Sequence, residues 1–204
     1  SAGRWAAGYV TGVAAAVVSG ALSFARNGQW RFAFENVAAP AGLYPALSGD
    51  GIRFRLNLGA APFRHTPPDP SFAAIAPAAG DDGVELLRAS DARQLARHLA
   101  WPQARLLTTS EWATVGAPSA LATRGKVWYE LTLETVRKDP KVSRAKDVGR
   151  PQVGWASAAF VPFVGGYFGE RHTRRVFGVG DDARSWAVDG VRGIRFHNEV
   201  QAPA

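Results

Sequence analysis

The stretch KVWYELTLETV, residues 126–136, decides how this chain folds. Val127, Tyr129, Leu131 and Leu133 fall on one side of an extended backbone, and Trp128, Glu130, Thr132 and Glu134 on the other. A period of two, rich in aromatic and β-branched residues, describes a strand with one face in a core. The same alternation recurs far away in IRFRLNLG, residues 52–59, where Ile52, Phe54, Leu56 and Leu58 alternate with Arg53, Arg55 and Asn57.

Short strand-like runs extend outward from both. On the N-terminal side they are YVTGVAAAVV (9–18), GALSFARNG (20–28), WRFAFENV (30–37) and GLYPALSGDG (42–51), and RNGQ (26–29) carries the Asn-Gly pair of a tight hairpin turn. On the C-terminal side QVGWAS (152–157) resumes a strand, and GVGDDARSWAVDG leads into a final hairpin ending in GIRFHN (193–198). Regularly spaced short strands with no alternating helices predict an all-β sandwich or barrel rather than a βαβ enzyme fold.

Two loops and one connector are expected between these runs. VRKDPKVSRAKDVGRP (136–151) reads as a charged loop and FVGGYFGERHTRR (163–175) as a glycine-rich one. Residues 68–117 open with a Pro-, Ala- and Gly-rich tract and continue into SDARQLARHLAW (90–101). There Ser90 can cap a short helix with Leu95 and Leu99 on one face.

Composition narrows the chemistry. At 204 residues, with 47% hydrophobic and 20% charged residues, the chain can bury a sizeable core. It has no cysteine, which removes disulfides, thiolate metal sites and a cysteine nucleophile, and its four histidines have no metal-ligand spacing. No methionine occurs either, so a piece or a processed form of a longer protein is expected. The most apolar tract, residues 5–24, is interrupted by glycines and is read as strands rather than as a membrane span. The net charge of +7 is carried mainly by dispersed arginines, clustered only in RHTRR (171–175), which disfavours nucleic acid as the partner.

No catalytic set emerges. Asp181 and Asp182 precede a strand, where aspartate bonds nearby backbone amides, and a calcium role would need further oxygen ligands from other loops. Glu130 and Glu134 share one strand face and are expected to face solvent or arginines. Trp186 reads as a core aromatic, Asp189-Gly190 as a hairpin turn and His197 as a strand-end residue with local hydrogen bonds. GWASAAF lacks the glycine spacing of a nucleophile elbow and GGYFGE lacks the Lys-Ser/Thr of a phosphate loop. Neither an enzyme nor a cofactor or metal site is expected.

Six blocks together resemble the successive signature blocks of SPRY domains, in the flavour of those in ryanodine receptors: GKVWYELTLE, PQVGWAS, GVGDDARSWAVDGVRGIRFHN, GALSFARNGQWRFAFENV, GLYPALS and IRFRLNLGAAPFRHTPP. The resemblance implies a bent antiparallel β-sandwich of concanavalin-like jelly-roll type. It also implies a transposed order, because in SPRY domains the first of these blocks leads and the last closes. Residues 1–67 then supply the C-terminal half of the sandwich, 118–204 the N-terminal half, and 68–117 a connector with a short helix, together one composite domain. A circular permutant and one period of a tandem array both produce this order. Either a monomer closed in cis or an exchanged dimer is expected.

The resemblance further implies a non-catalytic protein-protein interaction module, one unit of a larger scaffold or channel-like protein, in a cytoplasmic setting. Its protein or peptide partner would be gripped by rim loops: Arg124, Lys126 and 136–152, with 163–175 beside them. Tyr167, Phe168, Arg171, Arg174, Arg124 and Gln152 are the candidate partner-binding residues, since aromatics and arginine are common interface anchors. SPRY members that bind acidic peptides carry basic residues where this chain has Gln152 and Ala187. A carbohydrate-binding, lectin-like sandwich using some of the seven tryptophans, Trp30 among them, and a basic nucleic-acid-binding module are the alternatives.

Overall fold

In the computed structural model the described residues are 5–49, 52–75, 85–89, 105–107, 113–136, 151–168, 173–198 and 200–203. They form an antiparallel all-β sandwich. Strands β1 (Val10–Ala16), β2 (Ala21–Arg26), β3 (Gln29–Phe34), β4 (Leu43–Gly49) and β5 (Ile52–Asn57) come from the N-terminal part. β6 (Ala73–Ala74), β7 (Glu85–Ala89), β8 (Arg105–Leu107) and β9 (Ala113–Gly116) follow, and then β10 (Lys126–Val136), β11 (Gln152–Ser157), β12 (Phe163–Phe168), β13 (Thr173–Phe177), β14 (Ser185–Asp189), β15 (Ile194–His197) and β16 (Val200–Pro203).

One sheet runs β3-β2-β1-β10-β5-β8, with β6 beside β10, and the facing sheet runs β16-β15-β14-β11-β4-β9-β7. β10 lies between two strands from the start of the chain. Val13 opposes Tyr129 on one side, and Leu56 opposes Leu131 on the other. IRFRLNLG and KVWYELTLE are therefore direct neighbours, although they lie far apart in the sequence. Inward side chains from all parts merge into one core that includes Val13, Leu22, Phe24, Leu47, Leu56, Tyr129, Leu131, Leu133, Val153, Trp155 and Trp186. The Tyr129 hydroxyl donates to the Gly154 carbonyl across the sandwich at 2.5 Å, and the Tyr129 ring meets Trp155 edge-on. A smaller cluster on the outer side of the second sheet packs Phe160 and Val179 over Tyr44, Ala46, Ala156 and Ala187.

The turns follow the sequence signals. Asn27 and Gly28 both take positive φ between β2 and β3, the conformation for which Asn-Gly is suited. At the other end the Trp5 amide donates to the Gly190 carbonyl, and the Trp5 indole fills the space that a Cβ on Gly190 would need.

One expectation is corrected and one is filled in. The described parts of the connector 68–117 add strands to the sandwich: β6 and β8 join the first sheet, and β7 and β9 the second. β9 is locked to β4 by a buried Ser48–Thr114 hydroxyl hydrogen bond of 2.8 Å. The helix expected over 90–99 lies outside the described residues; among those residues the one helical element is a 3-10 turn at Pro118–Ala120. The stretch 163–175 is not a plain loop, since β12 and β13 pair there as an antiparallel hairpin that places Tyr167 opposite Arg174. The apolar tract 5–24 is strand and turn, and among the described residues no helix is long and apolar enough to cross a membrane.

Because Leu131 and Leu56 are opposed and almost wholly buried, Leu131→Ala should destabilise the entire sandwich by about 2–5 kcal/mol. Chemical unfolding of this variant should remain a single transition, with circular dichroism and tryptophan fluorescence coincident. Two separated transitions would show that the parts of the chain fold independently.

Candidate ligand-binding trough

The outer face of the first sheet is unusual in its small side chains. Gly12 and Ala14 of β1 lie beside Ala25 and Ser23 of β2, and Ala16 lies beside Ala21. No large side chain rises from this patch, so the indole of Trp30 can lie down on it. A Cβ on Gly12 would stand 2.7 Å from the Trp30 ring, which is why the position holds glycine. Trp30 meets Trp128 edge-on at 6.0 Å, and Phe63 covers Trp128 at 4.0 Å between ring centres.

Residues 59–75 run back across this face as a strap, held by main-chain bonds at three places. The Glu130 carboxylate accepts the Arg64 amide at 2.8 Å and the His65 amide at 2.9 Å. The Trp30 indole N–H donates to the Thr66 carbonyl at 2.9 Å, and the Ile75 amide donates to the Trp128 carbonyl at 3.0 Å. Glu130 is thus buried under the strap rather than turned to solvent or to arginine, a correction to its expected role. Glu134 does meet arginines, with Arg53 at 3.1 Å and Arg55 at 3.0 Å.

Between strap and sheet lies an open trough of about 350 Å³, in the range of small-molecule and peptide pockets. Ala16, Ala21 and Ser23 form its floor and Trp30 one wall, with Arg31, which pairs with the core residue Phe24, bordering it on the same strand. Pro68, Asp69 and Phe72 of the strap form the other wall, with Lys126 beside them. Lys126 bonds Asp69 at 3.2 Å and lies 5.4 Å from the centre of the Phe72 ring. Asp69 also accepts the amide and hydroxyl of Ser71, and these bonds, the hydroxyl's foremost, hold its carboxyl below the ordinary value. No protein-family model, curated protein or solved structure matches this chain.

The candidate residues named from sequence are scattered relative to the trough. Arg124 is exposed and sits in the turn whose Gly125 carbonyl accepts the Val17 amide, next to the β1–β2 turn at the trough's end. Gln152 is buried on β11 and donates to Asp181 at 2.9 Å, so it is not offered to a partner. Tyr167, Phe168 and Arg174 are placed on the β12–β13 hairpin, and Arg171 lies outside the described residues.

Asp181 and Asp182 organise their turn as the sequence suggested. Asp181 accepts the Gly178 amide as well as Gln152, while Asp182 accepts the Arg184 amide and the Ser185 hydroxyl. Among the described residues no group of three or more His, Cys, Asp or Glu gathers around a common point. His197 stacks on Trp186 at 4.9 Å and bonds the Ser185 carbonyl at 2.9 Å.

Sequence reasoning named Trp30, Lys126 and Arg124 but missed Arg31, Phe72 and the strap. The readable signal was the run of Gly, Ala and Ser at outward positions of β1 and β2, a floor that leaves room above it.

Glu130→Ala removes the acceptor of two strap amides and should cost about 1.5–3 kcal/mol, the range for hydrogen bonds to charged groups. Limited proteolysis should then cut within 59–75 faster than in the parent. Unchanged cleavage would mean that the strap is held without Glu130.

Burial raises the Asp181 carboxyl above its ordinary value, outweighing the Gly178 and Gln152 bonds. The folded state therefore holds this proton more tightly than the unfolded state. Its contribution to stability is full below the ordinary carboxyl value and is lost as pH rises through the raised one. The melting temperature of the parent minus that of Asp181→Asn should accordingly fall across this window and level off above it. A difference that grows with pH would contradict the assignment.

Proposed function

We propose that this chain is a non-catalytic interaction module of SPRY type, its two halves in transposed order, which grips a segment of a protein or peptide partner. The observation that carries the reading is the trough: aromatic and cationic side chains around a small-residue floor on a rigid sheet. Aromatic and arginine side chains are the usual energetic anchors of protein interfaces, and a rigid base keeps the ordering cost of binding low. The direct pairing of β5 with β10 is the neighbour relation that the SPRY resemblance implies for its last and first blocks, and it supports the transposed order. The β12–β13 hairpin, with Tyr167 opposite Arg174, is the second surface in this proposal.

The lectin-like reading is favoured by one observation, the partly exposed Trp30 in the trough wall, because an indole face can stack on a sugar ring.

The test is a panel in which the full chain is offered immobilised peptides and a glycan array, beside a Trp30→Ala, Phe72→Ala variant. Peptides should be retained by the parent and lost by the variant, with far-ultraviolet circular dichroism unchanged. Retention of glycans alone, lost in the variant, would replace the interaction module with the lectin. Loss of peptides only when Tyr167, Phe168 and Arg174 become alanine would move the contact surface to the hairpin.

A further inference from the structure

β3 is the outermost strand of its sheet among the described residues, and the register shows which of its main-chain groups face outward. The Asn27 amide donates to the Val10 carbonyl at 2.8 Å, so Asn27, and with it Ala25 and Ser23, turns its main-chain groups towards β1. Phe24 and Arg26 therefore turn theirs towards β3. They exchange bonds with Arg31 and Gln29, as the residues flanking a two-residue Asn-Gly turn do. The N–H and C=O groups of Trp30 and Phe32 are left pointing away from the sheet, with no strand beyond them among the described residues.

The other three ends of the two large sheets carry features that discourage a further strand. β8 has three residues, β16 ends in Pro203, and β7 breaks register between Leu86 and Arg88. The irregularity in β3 falls at Ala33, whose carbonyl accepts Arg195 of the facing sheet, and Gln29–Phe32 stays regular. The strap leaves this edge open, since its one described bond to β3 goes to the Trp30 indole. Arg31, exposed in the middle of the edge, guards it selectively. In the two-fold pairing that uses both outward residues, Arg31 of one copy would stand directly opposite Arg31 of the other, and like charges so opposed are destabilising. A different segment, with no basic residue at that place, meets no such penalty.

We infer that the chain takes its peptide by strand addition: an extended segment pairs with the outward main chain of Trp30 and Phe32, along the Trp30 wall of the trough. The peptide residue opposite Trp30 lies on the outer face beside the indole, where a β-branched or aromatic side chain adds a cross-strand contact. The residue opposite Arg31 carries no positive charge. The inference rests on the reading that this module grips a peptide, and adds the manner of the grip.

The test selects from a displayed library of random peptides of about twelve residues, long enough in extended form to run the length of the edge at roughly 3.3 Å per residue. The bait is the immobilised full chain, elution is by free chain, and the probe is the tightest eluted peptide made synthetically. Amide hydrogen exchange of the full chain is then followed by nuclear magnetic resonance. Without peptide, the Trp30 and Phe32 amides should exchange faster than that of Arg31, which bonds β2. With free peptide at about ten times its Kd, Trp30 and Phe32 should slow about tenfold, because exchange then proceeds through the unbound fraction. In a scan of singly N-methylated peptides, binding should be lost at every second residue along the paired stretch, since alternate amides of an added strand face the sheet. Trp30 and Phe32 amides that are already protected in the free chain, or that the peptide does not slow, overturn the inference and leave the interaction module standing. A methylation scan without the two-residue period does the same. A library that yields no peptide eluted by free chain overturns both.

Discussion

The rest of the structure depends on the register of β10 between β1 and β5. Tyr129, Leu131 and Leu133 can enter the core only if Trp128, Glu130 and Thr132 face outward, because a slip of one residue exchanges the two faces of a strand. Such a slip would carry Glu130 into the core and expose three large apolar side chains. Partner strands from the beginning of the chain are thereby fixed against a strand from its second half, at a loop-closure cost that grows only slowly with the length of chain between them. Tyr129 extends the constraint to the other sheet through its bond to Gly154.

The same register builds the trough. Outward Glu130 stands where it can accept two strap amides, and outward Trp128 provides the ring against which Phe63 and Trp30 pack. The strap then carries Phe72 and Asp69 to the side of the floor opposite Trp30. A core requirement on one face of β10 and a binding surface on the other are consequences of one alternation.

The strands with strong alternation were legible in the sequence. KVWYELTLETV and IRFRLNLG each declare a core face through large side chains, and Asn27-Gly28 declares its hairpin through backbone conformation. β6, β7, β8 and β9 were not legible, because they are short and their places are set by the edges of β10, β9, β5 and β4 rather than by their own pattern. The β12–β13 hairpin was read as a loop because its glycines weaken any strand signal. Trp30 could be named as a candidate, whereas Phe72 could not be brought to it, since their meeting depends on a strap held by a buried carboxylate. Glu130 itself was misread because a glutamate on an outward face is ordinarily solvated, and nothing local shows that distant amides will cover it. The SPRY resemblance lay outside these physical signals and enters the account as a proposal.

The central claim is that the early and late parts of one chain close on each other through β5 and β10, and a cross-link tests it most directly. The chain has no cysteine, so Arg55→Cys and Thr132→Cys, at directly opposed positions, introduce one defined pair of thiols. Opposed antiparallel residues have the Cα separation that a disulfide requires, roughly 4.4–6.8 Å. Mild oxidation at high dilution should give an intramolecular disulfide in a monomer, seen as a faster-migrating non-reduced band at the monomer mass. A disulfide-linked dimer as the sole product, or free thiols in a folded chain, would contradict closure within one chain.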